Sequence, residues 1–328
     1  MSNQAKLDVV VADVIQVTDL IKRFEFVAAD GGDLPGFSGG AHVVVEMQDG
    51  ETRRLNPYSL MSDPADVRRY AISVRRDDQA RGGSVYMHTH VTPGDRMVIS
   101  RPLNLFALNR MARKHIMVAG GIGITPFLSQ VKQLLGQKGR FGNAGLADME
   151  LHYYVQSREM GAYIADLETL MGDKVHIHVT GSAPNMDLAP LLARQPLGSH
   201  LYICGPKGMI KAAIGQAETA GWPDDTVHFE EFLAPSPGQP FTVDLAKSNK
   251  RVAVGERQSL LEALEAADVN PPYMCRGGAC GQCETNILAC EGEIEHRDHW
   301  LDDDQRASKT KIMPCVSRFR GTKLVLDR

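Results

Sequence analysis

The chain has 328 residues, which is enough for two or three domains with cores of their own. Its 43% hydrophobic and 23% charged residues are ordinary for a globular protein, and a net charge of −4 provides no basic surface for nucleic acid or an anionic membrane. The sequence starts without a secretory-signal pattern and has no apolar run of roughly 18 residues, so we expect neither a secreted nor a membrane protein.

The first third of the chain is a series of short β-branched runs separated by turn residues. The runs lie at 9–11, 42–46, 70–74 and 97–99. Strands at this spacing predict an antiparallel β-barrel or sandwich over residues 1–110. Two motifs stand out within it: Arg-Arg-Leu-Asn-Pro-Tyr-Ser at 53–59, and Arg-Gly-Gly-Ser at 81–84, which opens a predicted short helix.

Residues 111–233 alternate between strand and helix patterns, which predicts a doubly wound α/β domain with a parallel sheet. A buried strand at 115–119 runs into the turn Gly-Gly-Ile-Gly-Ile-Thr-Pro at 120–126, and a later strand ends in Cys-Gly-Pro-Lys at 204–207. The turn lacks the dinucleotide fingerprint Gly-x-Gly-x-x-Gly, so by itself it fits close packing of strand and helix equally well.

A linker rich in proline, residues 234–240, separates this region from a last domain at 241–328. In that domain we predict a hairpin over 241–254 and a helix that begins with the capping box Ser259 to Glu262. A final strand is predicted over 323–327. Cys290 lies among apolar neighbours and is interpreted as a structural thiol.

Four other cysteines of the last domain have the spacing of metal ligands. Cys275, Cys280 and Cys283 form the pattern C-x4-C-x2-C, and Cys315 follows later. This is the plant-type arrangement of thiolates around a [2Fe–2S] cluster, and the small residues between them let backbone N–H groups approach the bridging sulfides. Because a zinc site usually shows two C-x2-C pairs and disulfides belong to oxidising compartments, we predict the cluster and a cytoplasmic protein.

With these motifs in this order, the whole chain resembles the phthalate dioxygenase reductase family, the FMN-containing branch of the ferredoxin–NADP⁺ reductase superfamily. The resemblance implies a β-grasp ferredoxin fold for the last domain. It also implies that Tyr58 and Ser59 line the flavin, and that Gly82, Gly83 and Ser84 receive the FMN phosphate at a helix N-terminus. The short Gly-Gly-Ser loop favours FMN over FAD.

The flavin motif departs from the family at one position. The residue two before the tyrosine is Asn56 where the family has arginine, while Arg53 and Arg54 lie slightly upstream. We hypothesise that Arg54 makes the missing contact with the phosphate or the isoalloxazine from a bulged strand. The alternative is a solvated arginine at the end of the strand.

The same resemblance implies a nicotinamide site in the middle domain. Residues expected to bind the dinucleotide pyrophosphate are Gly120, Gly121, Gly123 and Thr125. Residues expected beside the nicotinamide are Cys204, Gly205 and Pro206, with Cys204 as a positioning group rather than a nucleophile. The final strand brings Phe229 or Phe232 to the flavin, and the sequence does not choose between them. Ser157 and Arg158 are expected at the adenosine ribose, where some relatives bind the 2′-phosphate of NADPH but an arginine in this branch is compatible with NADH. The adjacent Glu159 disfavours a second negative group, so NADH is preferred.

An acidic segment lies between the third and fourth cysteines of the cluster motif. Residues 284–304 contain eight acidic residues and one arginine, Arg297. We interpret the segment as a solvated loop face. The functional alternative is a docking surface near the cluster for a partner with a basic patch.

The motif order predicts an electron-transfer chain. NADH delivers two electrons at once and a [2Fe–2S] cluster accepts one, and a flavin can mediate between them. We therefore expect an NADH-dependent reductase that supplies a Rieske-type non-haem iron oxygenase through its cluster. The alternatives are a reductase for a haem monooxygenase or a separate ferredoxin, and a flavin–iron–sulfur redox sensor without reductase activity.

Overall fold

The computed structural model describes residues 6–50, 52–141, 148–181, 186–232 and 237–328. These residues form three sheets that follow one another along the chain. Among the described residues, no helix has both the length and the apolar character needed to cross a membrane. We propose domain boundaries near 110 and 233–241, which are the stretches between the sheets. Residues 234–236 of the predicted linker lie outside the described residues.

The first sheet has six antiparallel strands in the order β4-β3-β6-β1-β2-β5. Its elements are β1 Lys6–Thr18, β2 Ile21–Ala28, β3 His42–Asp49, β4 Thr52–Ser59, β5 Tyr70–Arg75, α1 Gly83–His90 and β6 Arg96–Ser100. Val43, Val45 and Met47 alternate along β3 and are buried, the period of a strand with one face in a core. The Met61 N–H donates to the Ala71 carbonyl (2.9 Å), so the chain after β4 returns to β5 and the sheet is barrel-like, as predicted.

The second sheet is parallel, with the strand order β11-β10-β7-β8-β9. Its elements are β7 Lys114–Gly120, α2 Thr125–Phe141, β8 Asp148–Val155, α3 Ile164–Met171, β9 Val175–Val179, α4 Ala189–Leu192, β10 Ser199–Cys204, α5 Lys207–Thr219 and β11 Val227–Glu230. From β7 the chain adds β8 and β9 on one side of the sheet, and from β10, on the other side of β7, it adds β11. The carboxyl ends of β7 and β10 therefore form the topological switch point, where α/β sheets bind ligands. The doubly wound prediction is confirmed.

The third sheet is mixed, with the order β13-β12-β16-β14-β15 and a parallel β12–β16 pair. Its elements are β12 Phe241–Leu245, β13 Lys250–Val254, α6 Leu260–Ala266, β14 Thr285–Glu295, α7 Asp303–Ala307, β15 Lys311–Ile312 and β16 Arg318–Leu326. Helix α6 begins with the predicted capping box, and it buries Leu260, Leu261 and Leu264 against the core. A helix packed on a mixed sheet of this kind is the expected β-grasp arrangement.

The acidic segment is not the solvated loop that the sequence suggested. Its first half is β14, where Glu291, Glu293 and Glu295 alternate along the strand with partly buried residues. Most of its acids already have cationic or capping partners. These contacts are Glu284 with Lys311, Glu291 with Lys323, Glu295 with Arg297 and Arg320, Asp298 and Asp303 with Arg306, and the Asp302 cap of α7. A free acidic docking patch is therefore not favoured.

Candidate functional site

The candidate flavin site begins on β4. The β3–β4 register is unbroken from Thr52 to Ser59, so the predicted bulge is wrong. Because side chains alternate along a strand, Arg54, Asn56 and Tyr58 still share one face, and Asn56 Nδ2 donates to the Tyr58 hydroxyl (3.3 Å). Arg54 can therefore approach a ligand from the same side as the family tyrosine without any distortion of the strand.

The Arg54–Asn56 face lies against the glycine turn that begins α1. Gly82 has φ 99° and precedes the first helical turn, and a Cβ on it would be 3.4 Å from the Arg54 guanidinium carbon. A Cβ on Gly83 would overlap the Asn56 amide nitrogen. The Ser84 hydroxyl is hydrogen-bonded to the backbone of Asp77, so its N–H, rather than its side chain, is available at the helix start.

The side chains around this turn fit an FMN phosphate. Arg54 Nε, next to the turn, is buried without a hydrogen-bond partner among the described residues, and so is Ser59 Oγ at the end of β4 on its other face. Buried polar atoms of this kind usually find partners in native structures, so both point to a polar ligand. A guanidinium beside free N–H groups at a helix N-terminus is a suitable set of donors for a phosphate.

The predicted pyrophosphate turn follows β7 and packs tightly on the end of β10. A Cβ on Gly123 would overlap the Cys204 carbonyl oxygen, and one on Gly120 would lie 2.5 Å from Met209 Sδ and 2.8 Å from Pro206 Cδ. Gly121, with φ 54°, faces open space. The glycines of the turn therefore allow close packing of strand and helix, which was the simpler interpretation of the sequence. The turn also leaves open space at Gly121, at the switch point of the sheet.

Cys204 and Glu230 are neighbours at the carboxyl ends of β10 and β11. Burial raises the pKa of the Cys204 thiol well above its usual range, which agrees with a positioning group rather than a nucleophile. One Glu230 carboxylate oxygen is buried without a hydrogen-bond partner among the described residues. Burial, with a further contribution from the negative charge of Cys275, raises the pKa of Glu230 to about 8. Glu230 therefore lies between the nicotinamide turn and a candidate ligand of the cluster.

Phe229 is not brought to Cys204. It pairs with Ile203 in the β10–β11 register and so projects from the opposite face of the sheet, where its ring packs edge-on against His299 (5.3 Å between centroids). The sequence identified the correct strand, but the alternation along it places Glu230, not Phe229, beside Cys204. Phe232 is 45% exposed and follows the strand, and its proximity to the flavin stays a prediction.

The remaining nucleotide-site predictions are compatible with the structure but not decided by it. The Thr125 hydroxyl donates to the Ile122 carbonyl (3.1 Å) and stabilises the turn. Arg158 pairs with Glu168 (2.6 Å) in an exposed position and lines a cleft of about 530 Å³ next to α3. The Ser157 hydroxyl accepts from the Met160 N–H (3.4 Å). The contacts of Ser157 and Arg158 with a dinucleotide stay predictions.

The four cluster cysteines converge in the third domain. Cys283 and Cys315 have their sulfur atoms 3.3 Å apart, and the N–H groups of Gly277 and Cys275 approach the sulfurs of Cys275 (3.4 Å) and Cys280 (3.5 Å). A hydrogen bond from Cys280, with further backbone N–H donors, lowers the pKa of Cys275 to about 5. Thiolate-stabilising N–H groups around four sulfurs are what a [2Fe–2S] cluster requires.

Two glycines of the cluster loop have positive φ and close neighbours. Gly278 and Gly281 both have φ 74°, and a Cβ on Gly281 would overlap the ring of Trp300. Trp300 is half exposed, and its indole N–H donates to Glu284 (3.1 Å). The loop is therefore covered by an aromatic ring that also reaches solvent.

Two ion pairs are among the contacts that join the cluster domain to the other two domains. Arg81, directly before the Gly82 turn, donates to the Glu262 carboxylate at the start of α6 (2.6 Å), and both side chains are almost fully buried. Beside the end of β11, His299 contacts Glu231 (2.8 Å), while its N–H donates to the Gly278 carbonyl in the cluster loop (3.1 Å). The three candidate cofactor sites therefore meet where the three domains meet.

Sequence reasoning missed several residues of this junction. Glu230 had a usable signal, since it is a charged residue within a strand that was already assigned to the site. Arg81 and Glu262 are 181 positions apart, and nothing in either local pattern shows that they pair. No local sequence pattern predicts the contacts of His299 and Trp300 with the cluster loop either.

Fold and sites together define a class: an oxidoreductase with a flavin domain, a nicotinamide domain and a ferredoxin domain. Comparison with protein families agrees. The family described as the N-terminal domain of dimethylamine monooxygenase subunit DmmA-like proteins matches residues 97–227, and the 2Fe-2S iron-sulfur cluster binding domain matches residues 243–320.

Whole-chain relatives make the assignment more specific. The chain is 47% identical to the heme-dependent oxidative N-demethylase beta subunit of Ectopseudomonas mendocina (strain ymp), with 98% of each chain covered. It is 42% identical to the carnitine monooxygenase reductase subunit of Escherichia coli (strain K12), with 100% of each covered. The solved structure of phthalate dioxygenase reductase superposes with a TM-score of 0.85 at 35% identity, covering 99% of this chain and 98% of that one.

The chain belongs to the phthalate dioxygenase reductase-like family. The recognition of the family from sequence motifs is confirmed, as are the reductase class and the predicted cofactors FMN, NADH and [2Fe–2S]. The expected role, electron transfer as the reductase component of an oxygenase system, is confirmed with them.

Proposed function

We propose that this protein supplies electrons to a terminal oxygenase that oxidises an N-alkyl compound, and that it does so in the cytoplasm. The two relatives at 42–47% identity are named for an N-demethylase and for an oxygenase of carnitine, a quaternary ammonium compound, whereas the phthalate enzyme is 35% identical. Support for the cytoplasm comes from the six cysteines, all of which are unpaired thiols in the structure.

The convergence of the three sites is the observation that carries the mechanism. Bound FMN would take up the electron pair of NADH and release single electrons to a [2Fe–2S] cluster. We assign Arg54, Asn56 and the N–H groups after Gly82 to the FMN phosphate, with Ser59 at the edge of the flavin ring. The turns at Gly123 and Gly205 would hold the dinucleotide, with Cys204 as the positioning group beside its nicotinamide.

Side chains of the protein also determine the environment of the electron transfer. The Cys204 thiol and the Glu230 carboxyl are both protonated at neutral pH in this environment, so they add no negative charge beside the nicotinamide. The cluster would be held by Cys275, Cys280, Cys283 and Cys315. The short connection from β11 through Glu231 and His299 to Gly278 fixes the cluster loop against the nicotinamide domain.

Electron paramagnetic resonance tests the route in one sample. We expect purified protein reduced anaerobically with NADH to give the signal of a reduced [2Fe–2S] cluster, because electrons pass from the nicotinamide through the flavin. Dithionite, which reduces the cluster directly, is the control. A signal with dithionite but none with NADH would contradict the proposed route while leaving the cluster assignment intact.

The Arg54 assignment has a test of its own. Arg54→Ala should weaken FMN binding roughly 10- to 100-fold, because charge-assisted hydrogen bonds contribute about 1.5–3 kcal/mol each. Arg53→Ala is a matched control, since Arg53 lies on the other face of β4 and pairs with Glu46 (2.7 Å). Flavin release measured by fluorescence distinguishes the two variants. Equal retention of FMN by wild type and Arg54→Ala would show that Arg54 is a solvated strand-end residue.

The iron centre of the acceptor has two candidates. The sequence led us to propose a Rieske-type oxygenase, while a haem oxygenase is favoured by the relative that is 47% identical and named heme-dependent. Reconstitution with purified oxygenases of both kinds, an N-methyl substrate and NADH should release formaldehyde with only one of them. If neither oxygenase released formaldehyde from the N-methyl substrate while one of them demethylated an O-methyl aromatic substrate, the proposed substrate class would be overturned.

A further inference from the structure

A cluster of histidines lies on the second sheet away from the cofactor turns. It consists of Glu150 and His152 on β8, and His176 and His178 on the edge strand β9. His152 pairs in register with Val118, and Val118 pairs with Ile203, so the cluster projects from the opposite face of the sheet to Cys204. Neither the redox chain nor the packing of the domains explains why four such residues meet here.

Three ligand atoms of this cluster converge. Glu150, His152 and His176 each offer one ligand atom, and these three atoms lie within 4.8 Å of one another. His152 Nε2 is 2.7 Å from Glu150 Oε1, and His176 Nε2 is 3.8 Å from the same oxygen. Two imidazoles and a carboxylate are a ligand set that Zn²⁺ takes in proteins, with a fourth position left for water.

The surroundings orient these ligands. His152 Nδ1 is 3.0 Å from His178 Nε2, so the ring nitrogen that does not face Glu150 has its own hydrogen-bond partner. Metal-bound histidines usually have such a second partner, which fixes the tautomer. Lys114 Nζ binds Glu150 Oε2 (2.5 Å), so the carboxylate is held by its other oxygen while Oε1 faces the histidines.

The positively charged side chains nearby do not prevent a cation from binding at Glu150. Lys114 contacts the oxygen that is not a ligand, and Arg194 is 3.8 Å from Oε1 with a side chain that is 66% exposed, so it can move into solvent. His176 is 43% exposed, which leaves a path from solvent.

We propose that Glu150, His152 and His176 form a binding site for a divalent transition ion of the Zn²⁺ type. The ion replaces the proton between His152 Nε2 and Glu150 Oε1. The proton displaced from His152 Nε2 leaves to solvent, and His152 Nδ1 takes over the proton that it shares with His178 Nε2. His178 regains a proton from solvent on its other ring nitrogen, so each ring stays neutral with one proton. Because His176 is on the edge strand, the ion links β9 to β8 and stabilises the outer part of the nicotinamide domain.

Zinc titration of the holoprotein, with FMN and cluster in place, tests the proposal. We expect one equivalent of Zn²⁺ by calorimetry. X-ray absorption at the zinc edge should show a nitrogen and oxygen shell at about 2.0–2.1 Å and no sulfur, which separates this site from the cysteines. The melting temperature of the protein should rise with zinc, since a ligand that binds only the folded state stabilises it.

Variants identify the ligands. His176→Ala should weaken zinc binding at least 10-fold, and as a half-exposed residue it should not disturb folding. His178→Ala should weaken it about 10-fold through the orientation of His152. His176 stacks on the ring of His152 (4.7 Å between centroids). His90→Ala is the matched control, because His90 is an exposed histidine that likewise stacks on a neighbouring ring, that of Tyr86. Absence of zinc binding, sulfur around the zinc, or equal affinity in His176→Ala and wild type would overturn the proposal, whatever the acceptor of the reductase.

Discussion

Arg81→Ala is expected to slow electron transfer from flavin to cluster while leaving the reduction of the flavin by NADH unchanged. Arg81 directly precedes the turn that we assign to the FMN phosphate, and it donates to Glu262 in the capping box of the cluster domain (2.6 Å). It also reaches the Arg257 carbonyl in the same domain (3.4 Å). The pair therefore joins the flavin site directly to the domain that receives the electron.

The size of the effect follows from burial. The two side chains are only 10% and 13% exposed, and removing one partner of a buried ion pair typically costs about 3–5 kcal/mol. If the cost falls on the contact between domains, about 3 kcal/mol corresponds to a roughly 100-fold smaller equilibrium constant for docking. Because we expect electrons to reach the cluster in the docked arrangement, the flavin-to-cluster rate should fall with the docked population, by up to this factor.

Anaerobic stopped-flow absorption separates the two steps, since flavin and cluster bleach at different wavelengths. Arg76→Ala is the matched control, because Arg76 pairs instead with Asp78 in an exposed position (2.8 Å). Glu262→Gln retains the shape of the capping side chain but loses its charge, and it should slow the same step. Wild-type rates of cluster reduction in both Arg81→Ala and Glu262→Gln would show that the pair does not hold the domains together.

The sequence predicted the sites that depend on local spacing. The four cysteines, the glycine turn at 82–83 and the capping box at Ser259 are short patterns with a direct chemical meaning, and all lie where they were expected. The position of Arg54 could also have been understood without a bulge. Two residues along a strand return to the same face, so moving the family arginine from position 56 to 54 retains its side.

What the sequence could not predict depends on contacts between distant segments. β14 was overlooked because residues 284–304 were interpreted as one acidic segment, although the alternation of Glu291, Glu293 and Glu295 is itself a strand signal. The Arg81–Glu262 pair and the contact of His299 with Glu231 exist only because three domains pack together. The position of Glu230 beside Cys204 depends on the register between β11 and β10, which the sequence of the strand alone does not give.

Gly123→Ala is expected to impair the nicotinamide site. A methyl group at this position would overlap the Cys204 carbonyl oxygen, and because that oxygen is backbone, the turn and the end of β10 must move apart. A displacement of about 1 Å in a site that positions two reactants can cost roughly 100-fold in rate. We therefore expect NADH to reduce the flavin about 100-fold more slowly, with a loss of about 1–3 kcal/mol in the free energy of unfolding.

The flavin and cluster contents of Gly123→Ala should stay at wild-type levels, because neither site includes this turn, and dithionite should still reduce the cluster. Gly136→Ala is the matched control: Gly136 lies in α2, where an added methyl group meets open space. That variant should retain the wild-type rate and be more stable by about 0.5–1 kcal/mol, since alanine favours a helix more than glycine does. Rapid reduction of the flavin by NADH in Gly123→Ala would mean that nicotinamide binds elsewhere than at the carboxyl ends of β7 and β10.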